Sequence, residues 1–156
     1  MCFKRRNGAK VSALTMANYL LERAKALGYT VSLSKLNSLL YYVQGAFLAN
    51  YDRPAFWNGL SAWPSGPVVP PVFYHFSKTH SRSLAPDERA DMRRFTRNEL
   101  ELIDRVLLEK GDYADTYLAA MTRREAPWLI ASNYGLVFEQ AEITRPAMRD
   151  YFSSEI

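Results

Sequence analysis

Several groups of residues in this chain have types and spacings that could do chemistry, and each has a plainer role to weigh against it. Ser32-Leu33-Ser34-Lys35 has the serine-x-x-lysine spacing that sets a hydroxyl beside an amine, as in penicillin-interacting enzymes. Neither companion motif of those enzymes, Ser-Asp-Asn or Lys-Thr-Gly, occurs, so the match is set aside. Glu99 and Glu101 are two apart and point to different sides of a helix, whereas an acid and base pair must converge. Asp112 and Asp115 could share a face, but a helix cap and a first-turn acid facing the helix dipole account for both. His75 and His80 lack a thiol or carboxylate at ligand spacing, and Cys2 is the only cysteine, so no zinc pattern can be written. The seven glycines are scattered singly and make no phosphate-cradling loop. These residues predict no catalytic set, no metal and no cofactor, hence a protein that is not an enzyme.

Arg89, Arg93 and Arg97 fall at four-residue steps with Arg94 beside them, which on a continuous helix would be a basic stripe for phosphates. Thr96 has the character of a helix cap that would interrupt such a helix, and Asp87, Glu88, Asp91 and Glu99 offset the charge. The net charge of +4 is held by the start of the chain, where Lys4, Arg5, Arg6 and Lys10 occur without an acid. The remainder is formally neutral and offers no broad face for counterion release, so nucleic acid is an unlikely partner. Residues 1–11 are expected to form a solvated basic arm.

Behind these groups stand the elements that must position them. With 156 residues, 48% hydrophobic and 13% aromatic, the chain can fold as one domain over 12–156 without disulfides. One cysteine, no apolar run of bilayer length and no apolar stretch after the first charges point to the cytoplasm, with no membrane association. Leu14, Ala17, Leu20, Leu21, Ala24 and Leu27 recur at helical steps between Ser12 and Gly28. Leu36, Leu39, Leu40, Val43 and Phe47 make a broader stripe after Ser32, with Tyr41 and Tyr42 at its margins, which predicts the central helix. From 50 to 71 the period fails. Trp57, Trp63 and several prolines there predict an ordered loop, with Gly66-Pro67 as a turn. Pro71 suits the first turn of a short helix ending near Lys78. Thr96-Arg97-Asn98-Glu99 is a capping box, Gly111 ends that helix, Asp112 is read as the next cap, Ala126-Pro127-Trp128 as a break, and Thr144 as the last cap. Only Tyr29 to Leu33 and Leu136 to Phe138 have an ambiguous strand character. The expected fold is all-α, about six helices with a Pro/Trp-rich loop between the second and third. Asn37 and Gln44, polar on the central helix, are expected to hydrogen-bond the 63–70 part of that loop.

The middle of the chain also resembles a known family. Leu36-Asn37-Ser38-Leu39-Leu40-Tyr41-Tyr42-Val43-Gln44-Gly45 is similar to the Leu-Gln-Lys-Leu-Leu-Tyr-Tyr-Ala-Gln-Gly helix of SocA-like antitoxins, the Panacea domain, a family with phage-associated members. Ala62-Trp63-Pro64-Ser65-Gly66-Pro67-Val68-Val69-Pro70 resembles its Ala-Trp-x-Tyr-Gly-Pro-Val-Val-Pro segment. Met121-Thr122-Arg123 through Pro127-Trp128 resembles its Leu-Thr-His through Pro-Trp segment, and Ile143 with Tyr151-Phe152 fits its last helix. Ser38, Ser65 and Arg123 stand where the family has lysine, tyrosine and histidine.

The resemblance implies an antitoxin that binds and neutralises a protein toxin encoded beside it, with a protease as a further partner in adaptor members. Tyr41, Tyr42, Gln44, Trp63, Gly66, Pro67, Val68, Phe73 and Trp128 are the expected protein-binding residues, since aromatic side chains commonly supply interface hot spots. Each also has a structural reading, as core for the aromatics and as a turn for Gly66-Pro67. Two alternatives stay open: a nucleic-acid binder or repressor using the basic arm and Arg89 to Arg97, and a diverged member serving as a phage or effector interaction protein.

Overall fold

A computed structural model of the protein describes residues 8–79 and 81–155. Among them the elements run α1 (Ala13–Leu27), α2 (Leu33–Tyr51), β1 (Leu60–Trp63), β2 (Gly66–Val68), α3 (Pro70–Ser77), α4 (Arg97–Lys110), α5 (Asp115–Thr122), α6 (Ala126–Ala131), β3 (Glu142–Ile143) and α7 (Arg145–Ser154). Most helix starts are those read from side-chain chemistry. Ser12, Ser32, Thr96 and Thr144 each accept a hydrogen bond from an amide three residues on. Ser32 Oγ takes the Lys35 amide at 3.2 Å, and Lys35 Nζ donates to the Thr30 carbonyl at 3.3 Å. The serine-x-x-lysine pair is therefore a helix start. Gly28 closes α1 in the left-handed conformation.

The described chain is mostly helical, as expected, with seven helices, but it also contains a small sheet that the all-α expectation lacked. The 50–71 loop contains a hairpin in which Trp63 pairs with Gly66 and Ser61 with Val68, and β3 joins its other side through Leu60 and Ile143. The order is β2-β1-β3, all antiparallel. Gly66-Pro67, read as a turn, is thus the start of an edge strand, where proline is tolerated because one side of the strand needs no ladder bond. The strands are two to four residues long, too short to show alternation. Tyr29 to Leu33 and Leu136 to Phe138 contain no strand. Further along, Asp112 does not cap α5, which starts at Asp115 after Ala114, and the Ala126-Pro127-Trp128 break is a short helix with proline in its first turn.

α2 is the centre of the fold. Every residue from Lys35 to Gly45 is buried, including Tyr41 and Tyr42, which the periodicity had set at the margins. α1, α3, α4, α5, α7 and β2 all pack against it. The closest fit is at Gly45, where an added Cβ would fall 2.2 Å from the Phe152 ring of α7. Phe152 in turn stands edge-on to Tyr41 and Tyr42, with centroids 5.4 and 6.0 Å away. The absent side chain at 45 is what lets α7 dock.

A second anchor joins the chain's start to α4. Glu99, the carboxylate of the capping box, also receives Lys10 Nζ at 2.7 Å and the Arg53 guanidinium. Residues 1–7 of the basic arm lie outside the described residues, but Lys10 is held in this network and Ala9 and Val11 are buried. Burial pushes the Glu99 carboxyl up, yet hydrogen bonds from Lys10, the Thr96 amide and Arg53 outweigh it and hold the group at about 2.

Gly45→Ala is expected to lower stability by about 2 kcal/mol through overpacking, read as a lower urea midpoint. Combining it with Phe152→Ala should cost less than the two single losses added, because the clash disappears. For Glu99, the unfolded carboxyl near 4.5 and the folded one at about 2 mean that its stabilisation is present above pH 4.5 and lost as pH falls towards 2. Glu99→Gln should lower stability at pH 7 by about 3 kcal/mol and flatten that acid limb in urea titrations.

Candidate protein-docking surface

The hairpin and α3 together present three aromatic rings. Trp63 from β1 meets Phe73 edge-on at 4.9 Å between centroids, Phe73 meets Tyr74 at 5.5 Å, and Trp63 meets Tyr74 at 6.4 Å. Val72 and Phe76 of α3 point into the core, so the helical period turns Tyr74 outward, where it is 60% exposed. Trp63 and Phe73 are half-buried beneath it. The result is an aromatic ledge.

Three hydrogen bonds, from α2, α6 and the end of α5, fix the ledge, the first buried and the second partly buried. Asn37 Oδ1 in α2 accepts the Val69 amide at 2.8 Å, immediately before α3. The Trp128 indole N–H in α6 donates to the Trp63 carbonyl at 3.0 Å. Arg123, at the end of α5, donates through Nη1 to the Ser65 carbonyl at 2.7 Å, at the hairpin tip. Gly66 has φ +141°, and a Cβ there would meet Thr122 Oγ1 at 3.3 Å, so the position is both strained and crowded for any other residue. Gln44 binds an earlier stretch than expected: its amide group takes the Ala55 amide at 2.7 Å and gives to the Phe56 carbonyl at 3.0 Å.

The expected binding residues divide accordingly. Tyr41, Tyr42, Gln44, Gly66, Pro67, Val68 and Trp128 are buried, and in this arrangement they support a surface and do not form one. Trp63 and Phe73 reach the surface. The sequence reading passed over Tyr74, although the inward step of Val72 and Phe76 marks it. It also passed over Glu125, whose two carboxylate oxygens accept the Tyr41 and Tyr42 hydroxyls at 2.9 Å each. No local signal could have joined residues more than eighty positions apart. A second apolar group, Ile130, Tyr134, Leu136 and Val137, is exposed around the turn after α6. Trp128 links it to the ledge, since its ring lies against Phe138 at 5.9 Å and beside Gly135.

Other candidates dissolve in the geometry. His75 Nε2 lies 2.7 Å from Asp87, while His80 is outside the described residues. No group of three metal-ligating side chains occurs among the described residues. Arg89, Arg93 and Arg94 lie in irregular chain ahead of α4, where Arg93 is paired with Asp91, and Arg97 pairs with Glu101 inside α4. They do not form one helical stripe.

Residues 36–129, from the central helix through the hairpin and α3 to α6, match the family described as antitoxin SocA-like, Panacea domain. The chain belongs to that family. Antitoxin SocA of Caulobacter vibrioides (strain NA1000 / CB15N) is 31% identical over 134 residues, covering 79% of this chain and 71% of that protein. No solved structure gives a significant match. The Panacea match includes every residue of the ledge together with Asn37, Arg123 and Trp128, which hold it. No described helix is long and apolar enough to cross a membrane.

Asn37→Leu leaves the buried Val69 amide without an acceptor, and the expected cost is about 2 kcal/mol. Hydrogen exchange at Val69 should accelerate far more than in the middle of α1, which would show that Asn37 holds the hairpin-to-α3 junction and not merely the core.

Proposed function

We propose that the protein is an antitoxin that binds a protein toxin directly and neutralises it, using the Trp63, Phe73 and Tyr74 ledge as the centre of the contact. Membership of the SocA-like family supports the antitoxin part of this reading. The exposed Tyr74 ring on a hydrogen-bonded platform supports the location. Aromatic anchors whose positions are set before binding lose little side-chain freedom on association, so their buried area converts well into affinity. Neutralisation would take place in the cytoplasm, and delivery of the bound toxin to a protease, the adaptor role that the family resemblance carries, would use the same complex.

The test is co-expression with the product of the adjacent gene, scored for rescue from toxicity and for co-purification. The wild-type chain is expected to rescue and to co-purify. Tyr74→Ala, which removes an exposed ring and leaves the core untouched, should weaken the complex by about 2 kcal/mol, some thirtyfold in Kd. An adjacent product that is neither toxic nor bound would remove the antitoxin reading; undiminished binding by Tyr74→Ala would remove the ledge from it.

A further inference from the structure

Away from the ledge, three helices end at one cleft. α2 brings Ala49 and Asn50 to it, α4 brings Glu109 and Lys110, and α7 brings Tyr151 and Phe152 with Glu155 just beyond. The cavity measures about 320 Å³, enough for one long side chain rather than a folded segment. Its walls are aromatic, from Tyr42, Tyr151 and Phe152. Glu125 also lines it, with the Tyr41 and Tyr42 hydroxyls on its two carboxylate oxygens.

The electrostatics of the cleft point one way. Helix C-termini carry a partial negative charge on their free carbonyls, and neither α2 nor α7 has a basic residue in its last turn to balance it. Three carboxylates, Glu109, Glu125 and Glu155, face a single cation, Lys110. That lysine places its ammonium 4.8 Å from the centroid of the Tyr42 ring. The chain thus already seats one cation against these rings, and the remaining charge is still negative. Burial raises the Glu125 carboxyl against the opposing tyrosine donors and Lys110, so a further cation beside it would relieve that penalty.

We propose that this cleft receives the guanidinium of an arginine side chain from a partner polypeptide. A guanidinium is planar, stacks on aromatic faces and forks onto carboxylates, and it sheds water more readily than an ammonium. A metal ion fits poorly, because among the described residues Glu109, Glu125 and Glu155 are not close enough together to hold one. Glu109 and Glu155, both exposed, form the acidic rim that would guide the arginine in, and the half-buried Tyr151 is the face it would lie against. This surface is separate from the aromatic ledge and does not depend on the toxin reading.

The test uses the full chain and NMR titration with N-acetyl-arginine methylamide, with N-acetyl-norleucine methylamide as the uncharged counterpart and magnesium chloride as the metal probe. Saturable amide shifts at Tyr42, Ala49, Lys110 and Phe152 are expected with the arginine probe alone. The Glu109→Gln, Glu155→Gln double variant, altered only at exposed positions, should fold and bind the probe about fivefold more weakly. Tyr74→Ala should bind it as the wild type does, which separates this proposal from the ledge. Absence of saturable shifts at the cleft, equal shifts with norleucine, the same shifts with magnesium, or an unchanged double variant would each overturn it.

Discussion

The burial of α2 on all sides is the constraint on which the rest of this structure depends. A helix surrounded by protein has no water for its polar side chains, so each must find a partner on another segment. Asn37 finds the amide of Val69, Gln44 the backbone at Ala55 and Phe56, and Tyr41 and Tyr42 the carboxylate of Glu125. Gly45 supplies the one place where a ring can enter, and Phe152 takes it. Four separate stretches of chain are thereby located relative to one helix. The aromatic ledge and the acidic cleft are consequences of that arrangement.

Energetically these bonds act less as sources of stability than as guards of position. A formed hydrogen bond nets about 1 kcal/mol, whereas a buried group stripped of its partner costs about 1–3 kcal/mol. Misplacing the hairpin by one register step would orphan the Val69 amide and the Asn37 oxygen together. The same asymmetry holds at Glu99, where the buried carboxylate serves α4 as a cap and receives charges from two distant segments, Lys10 and Arg53. Specificity of the fold comes from what would be lost if a pairing were wrong.

This asymmetry also explains what the sequence made legible. Caps and periodicity are local, so Ser12, Ser32, Thr96 and Thr144 announced their helices, and the apolar stripe of α2 announced the centre. The hairpin was hidden because its strands are short and contain a proline, and β3 because its partner lies some eighty residues away. Tyr41 and Tyr42 were set at the margins of α2 because a tyrosine hydroxyl normally seeks water; inside, Glu125 replaces that water. Of the two surfaces, the ledge was half readable through Trp63 and Phe73. The cleft was not readable at all, since it is assembled from three helix ends and a carboxylate at the head of a fourth helix.

The three departures from the family pattern take on meaning in this setting. Ser38 is enclosed within α2, whereas Ser65 and Arg123 meet at the hairpin tip. The contact there runs from the Arg123 guanidinium to the Ser65 carbonyl, a backbone atom that any residue at 65 would offer. Arginine at 123 can therefore hold the tip whatever side chain occupies 65, and the tyrosine found there in the family is free to change without loosening the hairpin. Gly66 and Pro67, which fix the backbone beside the tip, match the family segment. The Ser65 side chain itself stays exposed at that tip, while the backbone beneath it is held by Arg123 and by the buried Asn37 bond to Val69.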